Sequence, residues 1–487
     1  MVKMLVNKLN HIINGPIKRY SSLPPLPKSN FTPDKYLGPS IEELLKVRQT
    51  RLNPVLTTYY GTPLAFNQGY KQWLFDLQGK RYLDMFGGIC TVSVGHSHPK
   101  VSEALVQQIK KLGHVSNVYF HPKIHEYAER LTNKFPGGLK VVYFVNSGSE
   151  ANDLAVLMAR AYTRNTAILT LKNSYHGMTY QTMGLTSNAA YKHAVPQAPD
   201  IHNVMNPDVY KGPWGGAHCR DSPVQTTRSC SCSSSDCQAK AKYIDQLKDI
   251  FKYSVKPGNL AAFFAESIQG MGGVVQFPKG YIKEAYKIVK ENGGVFVSDE
   301  VQTGFGRTGE HFWGFEMHNI QPDIVTVAKG IGNGFPLAAV VTRSEIAQAL
   351  TNSMHFNTFG GNPLACAVGI AVLDVIQEEQ LQENSLEIGT YLLQQLEKLK
   401  SKYSIIGDVR GKGLMIGLEL IKNDEFASPV ENEKYFQVWE ACRDLGLIIG
   451  RGGIHGNVVR IKPPMCITKE DAKFTIEVLD RVFEKIK

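Results

Sequence analysis

Apolar positions change period along the chain, and the change outlines an architecture. Between about residue 90 and residue 375, short uninterrupted apolar runs alternate with stretches of helical spacing. The run 141–145 ends at Asn146-Ser147-Gly148, and a helix-like stretch follows from 150 to 162, with Ala151, Leu154, Ala155, Met158 and Ala159 on one face. Segments 167–171, 261–265, 295–298, 324–327 and 337–341 are further strand candidates, and 281–290 between two of them has helical spacing. Strands separated by helices predict a mainly parallel sheet covered on both faces. Ligands of such sheets bind beyond the carboxyl ends of the strands, so the residues just after the apolar runs are where chemistry is expected.

The flanks read differently. Residues 41–51 have helical spacing, short strands are predicted around 64–66 and 73–76, and Gln78-Gly79-Lys80 turns between hairpin arms. A long helix is predicted over 363–380, followed by mixed helices and strands. These features suggest a small domain built from both chain ends, 34–90 and 376–487, beside a large domain over 91–375 that carries an insertion at 212–240.

With 487 residues the chain is too long for one compact core. No stretch approaches the roughly 18 uninterrupted apolar residues of a membrane span. The net charge of +10 is unevenly spread. Residues 1–33 hold Lys3, Lys8, Lys18, Arg19 and Lys28 and no acid, and without them too little excess remains to argue for nucleic acid. Val2, Leu5, Val6, Leu9, Ile12 and Ile13 recur at helical spacing among those bases. A basic amphipathic helix without acids resembles a mitochondrial presequence, cut after Tyr20 and followed by a flexible leader, which directs the chain to the matrix. The plainer alternative is a basic tail on a cytosolic enzyme.

Four of the eight cysteines, Cys90, Cys366, Cys442 and Cys466, are scattered singly, as reduced core thiols are. Cys219, Cys230, Cys232 and Cys237 cluster beside His218 without any Cys-x-x-Cys pair. That spacing is poor for zinc. A cysteine-rich surface loop is expected, no metal is assigned, and a soft ion is the alternative.

The chemistry gathers behind two buried strands. Ser298-Asp299-Glu300-Val301-Gln302-Thr303-Gly304 follows one, and Ala328-Lys329-Gly330-Ile331-Gly332-Asn333-Gly334 follows the other. A lysine amine condenses with an aldehyde, and glycines allow a bulky ring close to the backbone. A carboxylate that keeps a pyridine nitrogen protonated makes the ring an electron sink. Lys329 and Asp299 are therefore candidate catalytic residues of a pyridoxal 5'-phosphate enzyme, whereas either taken alone could be a surface lysine or a solvated acid.

Together with Asn146-Ser147-Gly148-Ser149-Glu150-Ala151-Asn152, Tyr175-His176-Gly177 and Phe356-Asn357-Thr358-Phe359-Gly360-Gly361-Asn362-Pro363, these motifs resemble the class III aminotransferases from about residue 36 to residue 480. The resemblance implies fold type I of the pyridoxal-phosphate transferases, an α/β fold. It implies phosphate binding by Gly148 and Ser149, ring contacts from Tyr175 and Val301, and Gln302 at the phenolic oxygen. It implies that Thr358 reaches the phosphate in a neighbouring subunit, hence a homodimer or higher homo-oligomer with shared sites. Arg460 aligns with the substrate-carboxylate arginine, a planar fork suited to that anion. Relatives that accept 2-oxoglutarate carry Glu where this chain has Met271, and relatives that use ornithine carry an aromatic residue where it has Ile89. Both departures favour small monocarboxylates: alanine or 3-aminoisobutyrate as donor, glyoxylate or pyruvate as acceptor. An ω-aminotransferase using 2-oxoglutarate, or a phospho-lyase, is the competing expectation. Gly95-His96-Ser97-His98-Pro99 is read as structural, and Ser267, where many relatives have Pro, is expected to alter a turn only.

Overall fold

The computed structural model describes residues 24–56, 59–233, 237–424 and 427–486. The basic amphipathic segment and the cleavage site expected after Tyr20 lie outside the described residues.

The centre is a seven-stranded sheet in the order Val141–Val145, Ala338–Thr342, Ile324–Val327, Val295–Asp299, Leu260–Glu266, Ala167–Leu171 and Ile201–Val204. Ala338–Thr342 runs antiparallel to both of its neighbours. The other pairings are parallel. Successive side chains of a strand point to opposite faces, and here both faces are covered. Ala262, Phe264, Val295, Val297, Ile324 and Val340 pack with Leu154, Ala155 and Met158 of the helix Gly148–Thr163. Phe263, Phe296, Val325 and Val341 share a core with Ala285 and Ile288 of the helix Tyr281–Glu291. Two-sided burial is why these strands read as continuous apolar runs instead of alternating ones.

The flanks do join. Phe66–Tyr70, Trp73–Asp76 and Arg81–Asp84 form an antiparallel meander, and Leu447–Ile448 from the far end of the chain adds to it in parallel. A second small antiparallel sheet runs Ile406–Lys412, Met415–Leu420, Val458–Ile461, Gly450–Gly452. The first strand is displaced from its expected position at 64–66. Tyr70 pairs directly with Trp73, so the turn is Lys71-Gln72, with Lys71 at φ 50°. Neither residue is a usual turn former, which hid the hairpin.

The leader also differs from expectation. Residues 24–33 are not loose chain: Phe31 stacks on Tyr70 with centroids 4.7 Å apart, Leu26 packs on the core, and Arg81 Nη2 donates to the Pro27 carbonyl at 2.7 Å. The prolines hold this segment extended, and its two apolar side chains anchor it to the meander.

Candidate active site

A cavity of about 160 Å³ opens at the carboxyl ends of the central strands. It is lined by Ser147, Gly148, Ser149, Asn152, Tyr175, His176, Gly177, Glu266, Asp299, Val301, Gln302 and Lys329. A larger, more open hollow beside the same helix, lined among others by Leu154, Leu157 and His355, contains no candidate catalytic group.

One end of the cavity is the start of the helix Gly148–Thr163. Ser147 caps it, its hydroxyl accepting from the Glu150 amide at 3.2 Å. The first-turn amides next to that cap have no helical partner, so they form an anion cradle. Gly177, at φ +130°, closes against it: a Cβ there would lie 2.6 Å from both Ser149 Oγ and Thr182 Oγ1. Only glycine permits that approach.

Asp299 is buried in the cleft and fully held. Its Oδ2 accepts from Asn152 Nδ2 at 2.8 Å and lies 2.7 Å from His176 Nδ1, and its Oδ1 accepts from the Val301 amide at 3.1 Å. Asn152 is itself fixed, because its Oδ1 accepts from Thr326 Oγ1 and its amide also donates to the His176 carbonyl, both at 2.8 Å. Several hydrogen bonds of this kind keep a carboxylate aimed in one direction. On the neighbouring strand, in register with Asp299, stands Glu266. Burial pushes the Glu266 carboxyl up, against the pull of nearby His176 and of the Gly270 and Tyr175 amides that bond it.

Lys329 begins the short 3₁₀ turn that follows the strand Ile324–Val327, with φ 54°. A lysine in the left-handed region is strained, and such strain collects at functional positions. Burial depresses its ammonium below the usual lysine range, opposed by Cys90, Asp299 and Glu266 and reinforced by Arg460. Desolvation thus favours the neutral, nucleophilic amine.

Lys462, which carried no role in the sequence reading, reaches the same place. Its Nζ donates to Gln302 Oε1 at 2.9 Å and to the Gly270 carbonyl at 3.4 Å. Burial pushes its pKa down to about 7. With the amide oxygen of Gln302 held this way, its amide nitrogen is the end left for a ligand, and no described residue bonds it. Asn152, His176 and Glu266 were likewise missed. Each stands within or beside a recognised motif, but their roles depend on which strand ends meet.

Of the expected site residues, Gly148, Ser149, Tyr175, Asp299, Val301, Gln302 and Lys329 line one cavity. Arg460 lies outside that lining. It is buried, its Nε donates to the Arg451 carbonyl at 2.7 Å, and its guanidinium sits 5.1 Å over the Phe86 ring. Among the described residues no acid pairs with it, and its Nη1 has no hydrogen-bond partner. Burial lowers its pKa, while Cys90 and the phenols of Tyr191, Tyr435 and Tyr59 work against that. Ile89 belongs to four consecutive left-handed residues, Gly87 to Cys90, at φ 55°, 58°, 66° and 62°. Asp84 Oδ1 pins this turn by accepting from the Phe86 and Gly87 amides, each at 2.9 Å. Thr358 is exposed and away from the cavity. His96 and His98 bond Asp84 and Glu379, each at 2.8 Å. Ser267 does more than shape a turn: its hydroxyl donates at 2.6 Å to Glu300, a buried carboxyl that also accepts from Ser298 and Thr303 and from the Gly314 and Phe315 amides.

The donor set fits pyridoxal phosphate. An amide cradle at a helix N-terminus suits its phosphate, a fully held carboxylate suits a pyridinium, a desolvated amine suits an aldehyde, and a free amide NH₂ suits a phenolate.

Similarity to known proteins is extensive. The family model described as Aminotransferase class-III matches residues 58–483. Alanine–glyoxylate aminotransferase 2, mitochondrial, of Homo sapiens is 53% identical over 456 residues, which is 93% of this chain and 88% of that protein. A solved phospholyase from Arthrobacter, in complex with phosphoethanolamine, is 33% identical with a TM-score of 0.79, over 91% of this chain and 99% of that one. A PLP-bound amine transaminase from an uncultivated Pseudomonas species is 30% identical with a TM-score of 0.79, over 89% of this chain and 98% of that one.

Proposed function

The chain belongs to the class III aminotransferases, and we propose that it exchanges amino groups between a small amino acid, alanine or 3-aminoisobutyrate, and a small 2-oxo acid, glyoxylate or pyruvate. The observation that carries this reading is Arg460: a buried guanidinium with an unpaired Nη1 and no acid paired to it among the described residues. Met271, at the position expected of such an acid, turns its backbone carbonyl to the Gly453 amide at 3.0 Å, and its sulfur accepts from the Tyr191 hydroxyl at 3.5 Å. A permanently open fork suits one carboxylate in both half-reactions.

Pyridoxal phosphate, when bound, supplies an aldehyde that takes up the amino group and a ring that draws electrons from the substrate carbon. Gly148 and Ser149 would bind its phosphate, and Tyr175 and Val301 would confine its ring. Asp299, steadied by Asn152 and His176, holds the proton on the pyridine nitrogen. Gln302, turned by Lys462, offers its NH₂ to the phenolic oxygen. Lys329 would hold the aldehyde carbon and move the proton at the substrate carbon. Arg460 orients the substrate carboxylate so that this proton faces Lys329.

Thr358 lies on an exposed apolar surface with Met354, Phe356 and Phe359. Apolar side chains left in water favour a second copy there, with Thr358 reaching that copy's phosphate site. The acid-free basic segment at 1–33 and the mitochondrial relative support import into the matrix.

Adding alanine to the purified protein should bleach the visible absorbance of the bound aldehyde form as the amine form appears. The amine form, mixed separately with glyoxylate, pyruvate and 2-oxoglutarate, should react more slowly with 2-oxoglutarate than with either small acid. If 2-oxoglutarate is fastest, the reading of Met271 is wrong. The likeness to a phospholyase motivates a third arm: phosphate released from phosphoethanolamine without any oxo acid would replace transamination by elimination.

A further inference from the structure

The longest stretch without helix or strand in the described residues runs from 205 to 233, between the strand Ile201–Val204 and the helix Gln238–Tyr253. Loops of this length inside a compact domain need internal ties. Several are visible. Arg220 forms a bidentate, fully buried pair with Asp408 at 2.8 and 3.0 Å. Arg228 donates to the carbonyls of Tyr210, Gly212 and Pro213, and Tyr243 donates to those of Asp208 and Trp214. Within the loop, three sulfurs meet and a fourth cysteine stands beside them.

Cys219 Sγ lies 3.5 Å from Cys232 Sγ and 4.0 Å from Cys230 Sγ, and all three sulfurs fall within 4.8 Å of one another. Cys237, the buried N-cap of the helix Gln238–Tyr253, neighbours this group and lies outside the three sulfurs that fall within 4.8 Å of one another. Cys219 and Cys237 are buried, and Cys230 and Cys232 are half-buried. This is not the plain surface loop that the spacing suggested. Four thiolates placed tetrahedrally at zinc–sulfur distance would stand about 3.8 Å apart, and the two measured separations straddle that value. An iron–sulfur cluster would spread its thiolates around several metal atoms, and this cluster is too tight for that.

We propose that Cys219, Cys230 and Cys232, with neighbouring Cys237 as the fourth ligand, form a structural zinc site that ties the loop 205–233 to the start of the following helix. Four protein ligands leave no open position, so the role is structural and not catalytic. Binding one divalent cation among these sulfurs would release the thiol protons to solvent. In sequence 10, 1 and 4 residues lie between successive ligands, and only the fold of the loop makes them neighbours.

The test is metal analysis of the full chain, expressed in zinc-replete medium and purified under reducing conditions without chelator. Wild type should carry about one zinc per subunit. Cys230→Ser combined with Cys232→Ser should carry almost none, while Ser231→Ala keeps its metal. Should the double variant fail to fold, wild type grown with cobalt in place of zinc should show the intense visible bands of a tetrahedral thiolate site. Metal-free wild type, zinc retained by a folded double variant, cobalt protein without those bands, or a disulfide among the four cysteines in the reduced preparation would each overturn the proposal.

Discussion

The cofactor cleft and the cysteine loop both concentrate reactive side chains, but they are built in opposite ways. In the cleft, Asp299, Glu266 and Lys329 stand at the ends of adjacent parallel strands, and the sheet ladder sets their spacing. Each is desolvated or held by named partners, and the scaffold is regular. In the loop no ladder exists. Buried charge and converging sulfur hold the chain instead: Arg220 pairs with Asp408, and Asp408 also accepts from Arg410, which reaches Glu419 at 2.7 Å and the Gly273 carbonyl at 2.9 Å. The comparison teaches that a regular scaffold can spend its polar groups on chemistry, while an irregular one must spend them on staying folded.

The largest effect that tests this division is in the cleft. Lys329→Ala removes both the covalent anchor and the proton shuttle, so transamination of alanine should fall by roughly 1,000-fold or more. Cofactor should still bind non-covalently, because the cradle and Asp299 remain; single-turnover rates and cofactor content check the two halves. Asp299→Asn weakens the hold on the pyridine proton and should slow the half-reaction by on the order of 100-fold with cofactor retained. A wild-type rate would mean that another group holds that nitrogen.

Asp408→Asn should act the other way round, on stability. It leaves Arg220 and Arg410 buried without their carboxylate, which costs about 3–5 kcal/mol when a buried pair is broken. The expected result is a clearly lower melting temperature, and greater proteolysis within 205–237 than in the central sheet. Equal loss in both regions would show that the loop is not a separate stability unit.

The smallest effect is a pH dependence. Lys462 has its folded pKa depressed to about 7 by burial. Between that value and the ordinary lysine value the unfolded chain binds a proton that the folded chain does not, so stability rises with pH across this window. Below about 7 both states are protonated and the penalty is constant. Lys462→Met should flatten the rise in melting temperature between about pH 7 and pH 9 and should also loosen Gln302. An unchanged slope would mean that Lys462 titrates normally.

Much of this was legible before any coordinates. The two-sided sheet strands announced themselves as continuous apolar runs, and motif residues placed directly after those runs fell into one cavity. What was hidden had physical reasons. The Lys71-Gln72 turn carries no turn-forming residue. Residues 24–33 look like leader because prolines read as linker, yet Phe31 and Leu26 find apolar partners far along the chain. Lys462 gave no local signal, because its acceptors on Gln302 and Gly270 are more than a hundred residues away.

The sequence alone carried the alternation of strands and helices, the placement of Lys329 and Asp299 directly after buried strands and the basic character of the first 33 residues, because each depends on side chains close together in the chain. The tertiary structure was needed to show that His176 and Asn152 hold Asp299, that Arg460 is buried with no acid paired to it among the described residues, and that Cys219, Cys230 and Cys232 meet. Those are contacts between segments brought together by burial of the apolar core. Local spacing carries no information about which loop ends that core makes neighbours.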